Sequence, residues 1–360
     1  MSIKRVTSSD VAKAAGVSRT TVSIVLNEVQ GIQISDETRQ RVIEFANQLG
    51  YVPNAAAQAL VRSRAQIIGL VLTRSPHHIT SDGFLTQILD GLIETTRAKG
   101  MRLMIDIVDP QHQQEAYLQL VRAKRIDGII LSGPRFDDEA LQFLSNDGFP
   151  MVLMGRIQDQ EYYCVDVDNF AASQKAVSHL IDLGHRRIAC ITNAPISYTA
   201  AEERLRGYQA ALLAASIPYE VSLVRFGDFS IESGYSQMSD LMDKYSDITA
   251  AFIASDAVVV GAMAAIHDRG LRVPDDIALV GFDDLPMACY LNPRLTTMHV
   301  PAIDLARQAC SMVIELLGDQ LPNPKQVILD THLVIRESCG AKPRRSAGDT
   351  ESKLEEETKY

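Results

Sequence analysis

Polar side chains crowd the start of one short helical pattern near the beginning of the chain. The stretch GVSRTTVSIVLN spans residues 16–27 and places Arg19, Thr20 and Ser23 along one face. A guanidinium group can donate two parallel hydrogen bonds to a guanine, and hydroxyl groups bond phosphates or contact a thymine methyl group. These residue types at this spacing indicate contact with double-stranded DNA.

Two helices and a tight turn must present this face. Thr7 and Asp10 form a capping-box pattern that starts a first helix, and Gly16 supplies the turn at its end. Ser18 caps the second helix, whose opposite face is apolar, and a third helix opens at Ser35. The pattern predicts a helix-turn-helix, in which the second helix meets base edges. A surface helical hairpin with no DNA role has the same spacing and is the alternative.

The charge distribution separates a small basic region from an acidic remainder. The chain has 360 residues and a formal net charge of −10. Residues 1–66 hold eight Lys and Arg against five Asp and Glu, a net of +3, so the remainder carries −13. A basic head on an acidic body suits a protein whose first domain alone meets a polyanion.

Beyond residue 66, short apolar runs alternate with longer amphipathic stretches. The strand candidates are residues 67–72, 102–108, 127–132, 150–154, 187–192, 250–255 and 277–282. Helical patterns lie between them, for example at 84–100 and 169–184. Such alternation predicts βαβ units and parallel sheets. Two doubly wound α/β lobes with a cleft between them fit this length, and a single eight-stranded barrel is the competing topology.

The expected domain division follows from these patterns. Residues 1–50 form an all-α headpiece, residues 51–66 a hinge helix and linker, and residues 67–340 the two-lobed core. Residues 341–360 hold one large aliphatic side chain and are expected to be a disordered tail.

Several classes of protein are disfavoured by what the sequence lacks. The five cysteines are scattered without a C-x-x-C pair, so neither a disulfide framework nor a metal site is expected. The sequence contains no G-x-S-x-G, P-loop or G-x-G-x-x-G motif, so we expect neither an enzyme nor a bound cofactor. No secretory signal or membrane-spanning run is present, and the cytoplasm is the expected compartment.

Longer motifs resemble a known family. The sequences VTSSDVAKAAGVSRTTVSIVLN and ISDETRQRVIEFANQLGYVPNAAAQAL closely resemble the headpiece of the LacI/GalR family of bacterial transcriptional regulators. The resemblance continues through the core in HLIDLGHRRIACI, ERLRGYQAAL and GLRVPDDIALVGFDD. It covers all but the tail and implies a core similar to that of periplasmic sugar-binding proteins.

The resemblance implies DNA contacts at particular positions. These are Thr7, Ser8, Ser18, Arg19, Thr20, Ser23, Asn27, Asn54, Ala57 and Leu60. Arg19 and Thr20 fall at the base-reading positions, and Leu60 falls on the leucine that the family wedges into the minor groove. Leu60 belongs to a hinge helix at 54–62, which is too short to be stable alone, so its folding can be coupled to DNA. The loop between Asn27 and Ser35 is longer than the family pattern, which leaves its contacts open.

The resemblance also implies a ligand site in the cleft. Its expected residues are Arg74, Ser75, Asp82, Phe84, Arg135, Arg156, Arg204, Phe229, Ser255, Asp256 and Asp283. Arg204 aligns with an arginine that contacts ligand hydroxyl groups, and Phe229 with an aromatic residue that stacks on a sugar ring. A surface salt bridge for Arg204 and plain core packing for Phe229 are the alternatives. Gly155 replaces an acid that many relatives carry, so one hydroxyl contact is missing or supplied elsewhere.

Together these observations predict a homodimeric repressor that binds a pseudopalindromic operator under the control of a small sugar. The motif at 81–84, with MGR and VDVDN, is closer to members that sense α-glucosides. A purine or a sugar phosphate is the alternative effector. A soluble sugar-binding protein with a non-functional headpiece is the alternative of another class.

Overall fold

The computed structural model describes residues 6–27, 31–52, 64–73, 82–108 and 112–341. Three helices precede the α/β core: α1 Ser8–Ala15, α2 Arg19–Leu26 and α3 Asp36–Gln48. Their small apolar core is built around Val11, Val22 and Val42, which are almost fully buried. Small residues at the contact let the helices cross closely, as the sequence predicts.

The first lobe of the core, the amino lobe, is a six-stranded sheet with helices on both faces. Its strands are β1 Ile67–Leu72, β2 Arg102–Ile107, β3 Gly128–Ser132, β4 Met151–Met154, β5 Cys164–Val167 and β11 Gln326–Leu329. Its helices are α4 Gly83–Ala98, α5 Gln113–Arg122, α6 Ala140–Asn146 and α11 Ala302–Leu317. The strand order is β11-β5-β4-β3-β1-β2, and all pairs are parallel.

The second lobe, the carboxyl lobe, repeats this architecture. Its strands are β6 Ile188–Thr192, β7 Val224–Phe226, β8 Ala250–Ile253, β9 Ala278–Asp283, β10 Thr297–His299 and β12 His332–Val334. Its helices are α7 Asn169–Asp182, α8 Thr199–Ala214, α9 Ile231–Lys244 and α10 Asp256–Asp268. The order is β12-β10-β9-β8-β6-β7, in which only the β10–β12 pair is antiparallel.

The two sheets confirm the predicted pair of doubly wound lobes and exclude the single barrel. Each sheet contains the same reversal of strand order, at β1/β3 in the amino lobe and at β6/β8 in the carboxyl lobe. Ligands of open α/β sheets bind at the carboxyl ends of the strands beside such a reversal. The chain passes between the lobes after β5, after β10 and after β11. Among the described residues, no helix is long and apolar enough to cross a membrane.

Candidate functional site

The headpiece presents the start of α2 to solvent. Arg19 and Thr20 are exposed there, while Val22 and Val25 of the same helix face the headpiece core. The Ser18 hydroxyl caps the helix by accepting a hydrogen bond from the Thr21 backbone N–H at 3.0 Å. The cap fixes the first turn, and unpaired N–H groups at a helix start favour phosphate. Arg19 and Thr20 are thus placed to reach into a groove.

The other predicted DNA-contact residues of the headpiece, Thr7, Ser8, Ser23 and Asn27, lie at the start of α1 and along α2. Asp10 accepts hydrogen bonds from the Thr7 backbone N–H at 2.8 Å and from its hydroxyl at 2.7 Å, which confirms the predicted reach of Asp10 back to Thr7. Ser8 is half-buried at the start of α1. Asn27 Nδ2 donates to Ser23 Oγ at 3.0 Å across one turn of α2, which leaves the Ser23 hydroxyl proton to donate to an acceptor such as a phosphate.

Five predicted contact residues lie outside the described residues. They are Asn54, Ala57 and Leu60 of the hinge segment, and Arg74 and Ser75 after β1. Their predicted roles remain predictions.

A cavity of about 770 Å³ lies between the lobes, at the carboxyl ends of the strands beside both reversals of strand order. Ser132 and Gly133 reach it from the end of β3, Asn193 follows β6, and Ser255 follows β8. Further lining residues are Asp82, Phe84, Met154, Gly155, Asp166, Asn169, Tyr198, Arg204, Phe229, Asp283 and Leu305. A concave wall of apolar and aromatic side chains with a few converging polar groups is typical of small-molecule sites.

Among the described residues that line the cavity, Arg204 carries the one positively charged side chain. It is only 7% exposed and lies over the ring of Phe282, with its Cζ atom 3.8 Å from the ring centroid. Its Nε atom donates to Asn169 Oδ1 at 2.8 Å, and Nη1 donates to the Ala254 carbonyl at 2.7 Å. These contacts fix the guanidinium plane and leave Nη2 to donate to a bound ligand. They exclude the alternative of a surface salt bridge.

Asp283 faces Arg204 across the cavity wall. Its Oδ1 atom lies 3.7 Å from Arg204 Nη1, and the Ser255 side chain also hydrogen-bonds it. Burial raises the pKa of Asp283 to about 7, and the guanidinium of Arg204 opposes this rise. Asp283 also adopts a positive φ of 114°, an unusual backbone state for a residue with a side chain. Such strain and such a pKa are common at binding sites.

Asp256 does not line the cavity, contrary to the expectation that it faces the cleft with Ser255. Its side chain is fully buried at the start of α10. Its carboxylate accepts hydrogen bonds from the Leu285 backbone N–H at 2.8 Å and from the Thr297 hydroxyl at 2.7 Å. Asp256 therefore holds the loop after Asp283 in place rather than contacting a ligand.

Two predicted arginines also lie outside the lining of the cavity. Arg135 pairs with the neighbouring Asp137 at 2.7 Å and lies over the Tyr198 ring. Arg156 pairs with the buried Glu203 of α8 at 3.3 Å. Because each guanidinium is held by an acid of this chain, the structure corrects the expectation that they contact ligand. The contact of Arg135 with the Tyr198 ring and the Arg156–Glu203 pair join the two lobes at the edge of the cavity.

Aromatic side chains form the apolar part of the wall. Phe229 and Tyr198 meet edge to face with ring centroids 5.2 Å apart, and Phe84 lines the wall contributed by α4. The Phe229 backbone N–H donates to the Asn193 carbonyl at 2.8 Å, and the phenyl ring lines the cavity while it packs against buried Tyr198. Asp82 caps α4 by accepting hydrogen bonds from the Phe84 and Leu85 backbone N–H groups.

Sequence reasoning missed five polar or aromatic residues of this wall: Ser132, Asp166, Asn169, Asn193 and Tyr198. Asn193 directly follows a predicted strand, so its position beside the strand reversal was a usable signal. Tyr198 carries no such signal, because its hydroxyl crosses between the lobes to donate to the Thr73 carbonyl.

Family models match both parts of the chain. Residues 7–54 match the model described as bacterial regulatory proteins of the lacI family, and residues 177–339 match a periplasmic binding protein-like domain. The HTH-type transcriptional regulator CelR of Thermobifida fusca is 34% identical over 338 residues, which cover 93% of this chain and 98% of that protein. The HTH-type transcriptional repressor PurR of Edwardsiella ictaluri is 33% identical, covering 93% and 97% respectively.

Solved structures agree with this assignment. A CelR–cellobiose complex superimposes with a TM-score of 0.71 at 33% identity, covering 93% of this chain and all of that one. A Lac repressor dimer bound to operator and the anti-inducer ONPF gives a TM-score of 0.81 at 29% identity, covering 94% and 100%. These relatives are DNA-binding regulators and not enzymes. The chain belongs to the LacI family of bacterial transcriptional regulators.

Proposed function

We propose that this regulator is a repressor whose affinity for its operator is controlled by a neutral sugar bound in the cavity between the lobes. The observation that carries the proposal is the chemistry of the cavity wall. The described lining residues contribute three carboxyl groups, from Asp82, Asp166 and Asp283, and one guanidinium, from Arg204. Hydroxyl groups match such a wall because each can donate to a carboxylate and accept from an arginine.

The same wall disfavours the alternative effectors. A sugar phosphate needs an excess of donors and positive charge. Of the three candidate arginines, Arg135 and Arg156 are held by Asp137 and Glu203, and Arg74 lies outside the described residues. Aromatic rings from Phe84, Tyr198 and Phe229 supply apolar faces on which a sugar ring can pack. The likeness to a CelR–cellobiose complex supports a sugar as well.

Within the sugars, we propose an α-glucoside. Three sequence motifs carry this preference, because they resemble members of the family that sense α-glucosides: the motif at 81–84, MGR at 154–156 and VDVDN at 165–169. The relative solved with cellobiose, a β-glucoside, makes that sugar the comparison that the experiment must include.

We further propose that the protein acts as a homodimer on a pseudopalindromic operator in the bacterial cytoplasm. The Lac repressor dimer on its operator supports this assembly, and two-fold symmetry of the protein calls for two half-sites. The headpiece at 1–50 and the hinge at 51–66 would contact DNA, with Arg19 and Thr20 reading bases. The phosphate contacts would come from Thr7, Ser18, Ser23 and Asn27.

A gel-shift titration against the DNA upstream of the protein's own gene tests the proposal. We expect a salt-sensitive complex whose affinity changes with maltose or trehalose but not with hypoxanthine. Cellobiose is the matched disaccharide control for the linkage. A response to cellobiose alone would overturn the α-glucoside preference, and a response to hypoxanthine alone would overturn the sugar. A complex that no salt concentration weakens would argue against phosphate contacts by the headpiece.

A further inference from the structure

Asp166 places a carboxyl group in the cavity wall from an otherwise apolar strand. The residue belongs to β5, Cys164–Val167, whose four residues are all buried, and it is itself 8% exposed. The neighbouring strand β11 offers it only Ile328 in the paired register position. A carboxyl group in such a strand costs free energy unless its partners compensate, so packing alone does not explain its presence.

The hydrogen bonds of Asp166 leave it with spare accepting capacity. Its Oδ1 atom accepts from the Val167 backbone N–H at 2.8 Å and from Asn169 Nδ2 at 3.1 Å. The backbone N–H of Arg156 donates to the same carboxylate. A carboxylate has about four acceptor sites, so these three donors leave one for a bound ligand.

Charged groups approach Asp166 from two neighbouring elements. Glu203 and Arg204 face it from α8, and Arg156 faces it from the segment after β4. Burial raises the pKa of Asp166 to about 7, with the negative charge of Glu203 adding to the rise and Arg204 opposing it. A buried carboxyl group with such a pKa, in the wall of a cavity, is typical of a binding site.

Gly155 and Asp166 lie side by side in the cavity wall. Met154 of β4 pairs with Val165, and the Gly155 N–H donates to the Val165 carbonyl at 3.0 Å, so Gly155 lies beside Asp166. A Cβ atom on Gly155 would lie only 2.6 Å from Pro134 Cδ. No side chain fits at position 155 without displacement of Pro134, so no side chain of residue 155 stands between Asp166 and a ligand in the cavity.

We infer that Asp166 accepts a hydrogen bond from one hydroxyl group of the effector sugar and thereby helps to determine which sugar binds. This contact rests on the proposed function. Asn169 joins Asp166 to Arg204, since its Nδ2 donates to Asp166 and its Oδ1 accepts from Arg204. The Asp166 carboxyl group, an acceptor, and the Arg204 guanidinium, a donor, therefore lie side by side. This pair matches two neighbouring hydroxyl groups of one sugar ring.

The test is isothermal titration calorimetry with the full-length wild type, Asp166→Asn and Asp168→Asn. Asp168 is an exposed residue that caps α7 through the Ala171 N–H at 2.8 Å, so the control makes the same chemical change outside the cavity wall. The probes are maltose, trehalose and cellobiose, followed by monodeoxy analogues of whichever sugar the wild type binds. Thermal melting without sugar establishes that each variant is folded, and Asp166→Ser replaces Asp166→Asn if the latter fails to fold.

We expect Asp166→Asn to weaken binding of the parent sugar about 10- to 100-fold, the effect of losing one hydrogen bond to a charged group. Asp168→Asn should bind as the wild type does. One monodeoxy analogue should lose the same factor in the wild type but lose nothing further in Asp166→Asn. If no analogue shows this coupling, or if Asp166→Asn binds as the wild type does, the contact is overturned while sugar binding stands. If the folded wild type binds none of the three sugars, the proposed effector class is overturned together with the contact.

Discussion

Replacement of Gly155 by alanine is expected to destabilise the core strongly. Gly155 follows β4 with a φ of +118°, a backbone state that residues with a side chain rarely adopt. Such a conformation costs about 1–3 kcal/mol for an alanine. The added Cβ would also lie 2.6 Å from Pro134 Cδ and 2.8 Å from its Cγ. Forcing an extra carbon atom into a packed site lowers the free energy of unfolding by about 1–3 kcal/mol more.

The two costs together lower the free energy of unfolding by about 2–6 kcal/mol. For a domain of this size the melting temperature of the core should fall on the order of 10 °C. Gly148→Ala is the matched control, because Gly148 also has a positive φ, of +68°, but a Cβ there meets no heavy atom within 4 Å. The control should lose only about 1 kcal/mol.

Calorimetric melting and urea unfolding of both variants, without sugar, measure this difference. A Gly155→Ala core that melts at or above the temperature of Gly148→Ala would refute the reasoning from the Pro134 contact.

Three further predictions concern single side chains. Asp256→Ala should lower the free energy of unfolding by about 2–5 kcal/mol, because it leaves the buried Leu285 N–H and Thr297 hydroxyl unpaired. Urea unfolding measures this loss, and a variant of unchanged stability that binds no sugar would instead make Asp256 a ligand contact. For Asp166, burial raises the folded-state pKa to about 7, so the folded state retains a proton that the unfolded chain releases near pH 4. This contribution makes the protein less stable as pH rises from about 4 to 7, by at most about 4 kcal/mol. Asp166→Asn should remove that part of the decline in melting temperature between pH 5 and pH 8, and an unchanged slope would contradict the pKa. Arg19→Ala should cost about 1–3 kcal/mol on the operator and relax preference at one base pair in a gel-shift series. Equal weakening on all sequences would make Arg19 a phosphate contact.

The sequence predicted the larger elements because their patterns are long or strongly apolar. The strand predicted at 67–72 is β1 without change, and those at 102–108 and 187–192 differ from β2 and β6 by one residue. The prediction omitted β5, because Asp166 interrupts its apolar run. It also omitted β7, β10 and β12, which have three residues each and are too short to show a period, and β11, which has four.

The sequence predicted those residues of the candidate site whose position follows from the strand topology. Arg204 and Asp283 line the cavity, as do Ser255 and Phe229, since the ends of parallel strands meet there. The sequence could not show that Ser255 lines the cavity while Asp256 does not. The Asp256 side chain points into the protein interior, where it accepts a hydrogen bond from the Thr297 hydroxyl. The sequence also could not show that Arg156 pairs with Glu203, because the two residues are 47 positions apart in the chain. Arg156 was therefore expected to contact ligand. Such long-range pairings are properties of the folded chain.

The cavity can control the headpiece only if a ligand distinguishes between arrangements of the lobes. Asp166 belongs to the amino lobe and Arg204 to the carboxyl lobe. When the lobes rotate relative to each other, the hydrogen bonds between these two residues and a sugar that contacts both become stronger or weaker. The segment that leads to the headpiece is fastened to the amino lobe, because Asp127 accepts hydrogen bonds from the Ala65 N–H at 2.8 Å and from the Ile67 N–H at 3.2 Å. A rotation of that lobe must therefore carry the end of the linker, at Ala65, with it. We expect control of DNA binding to pass through this anchored backbone.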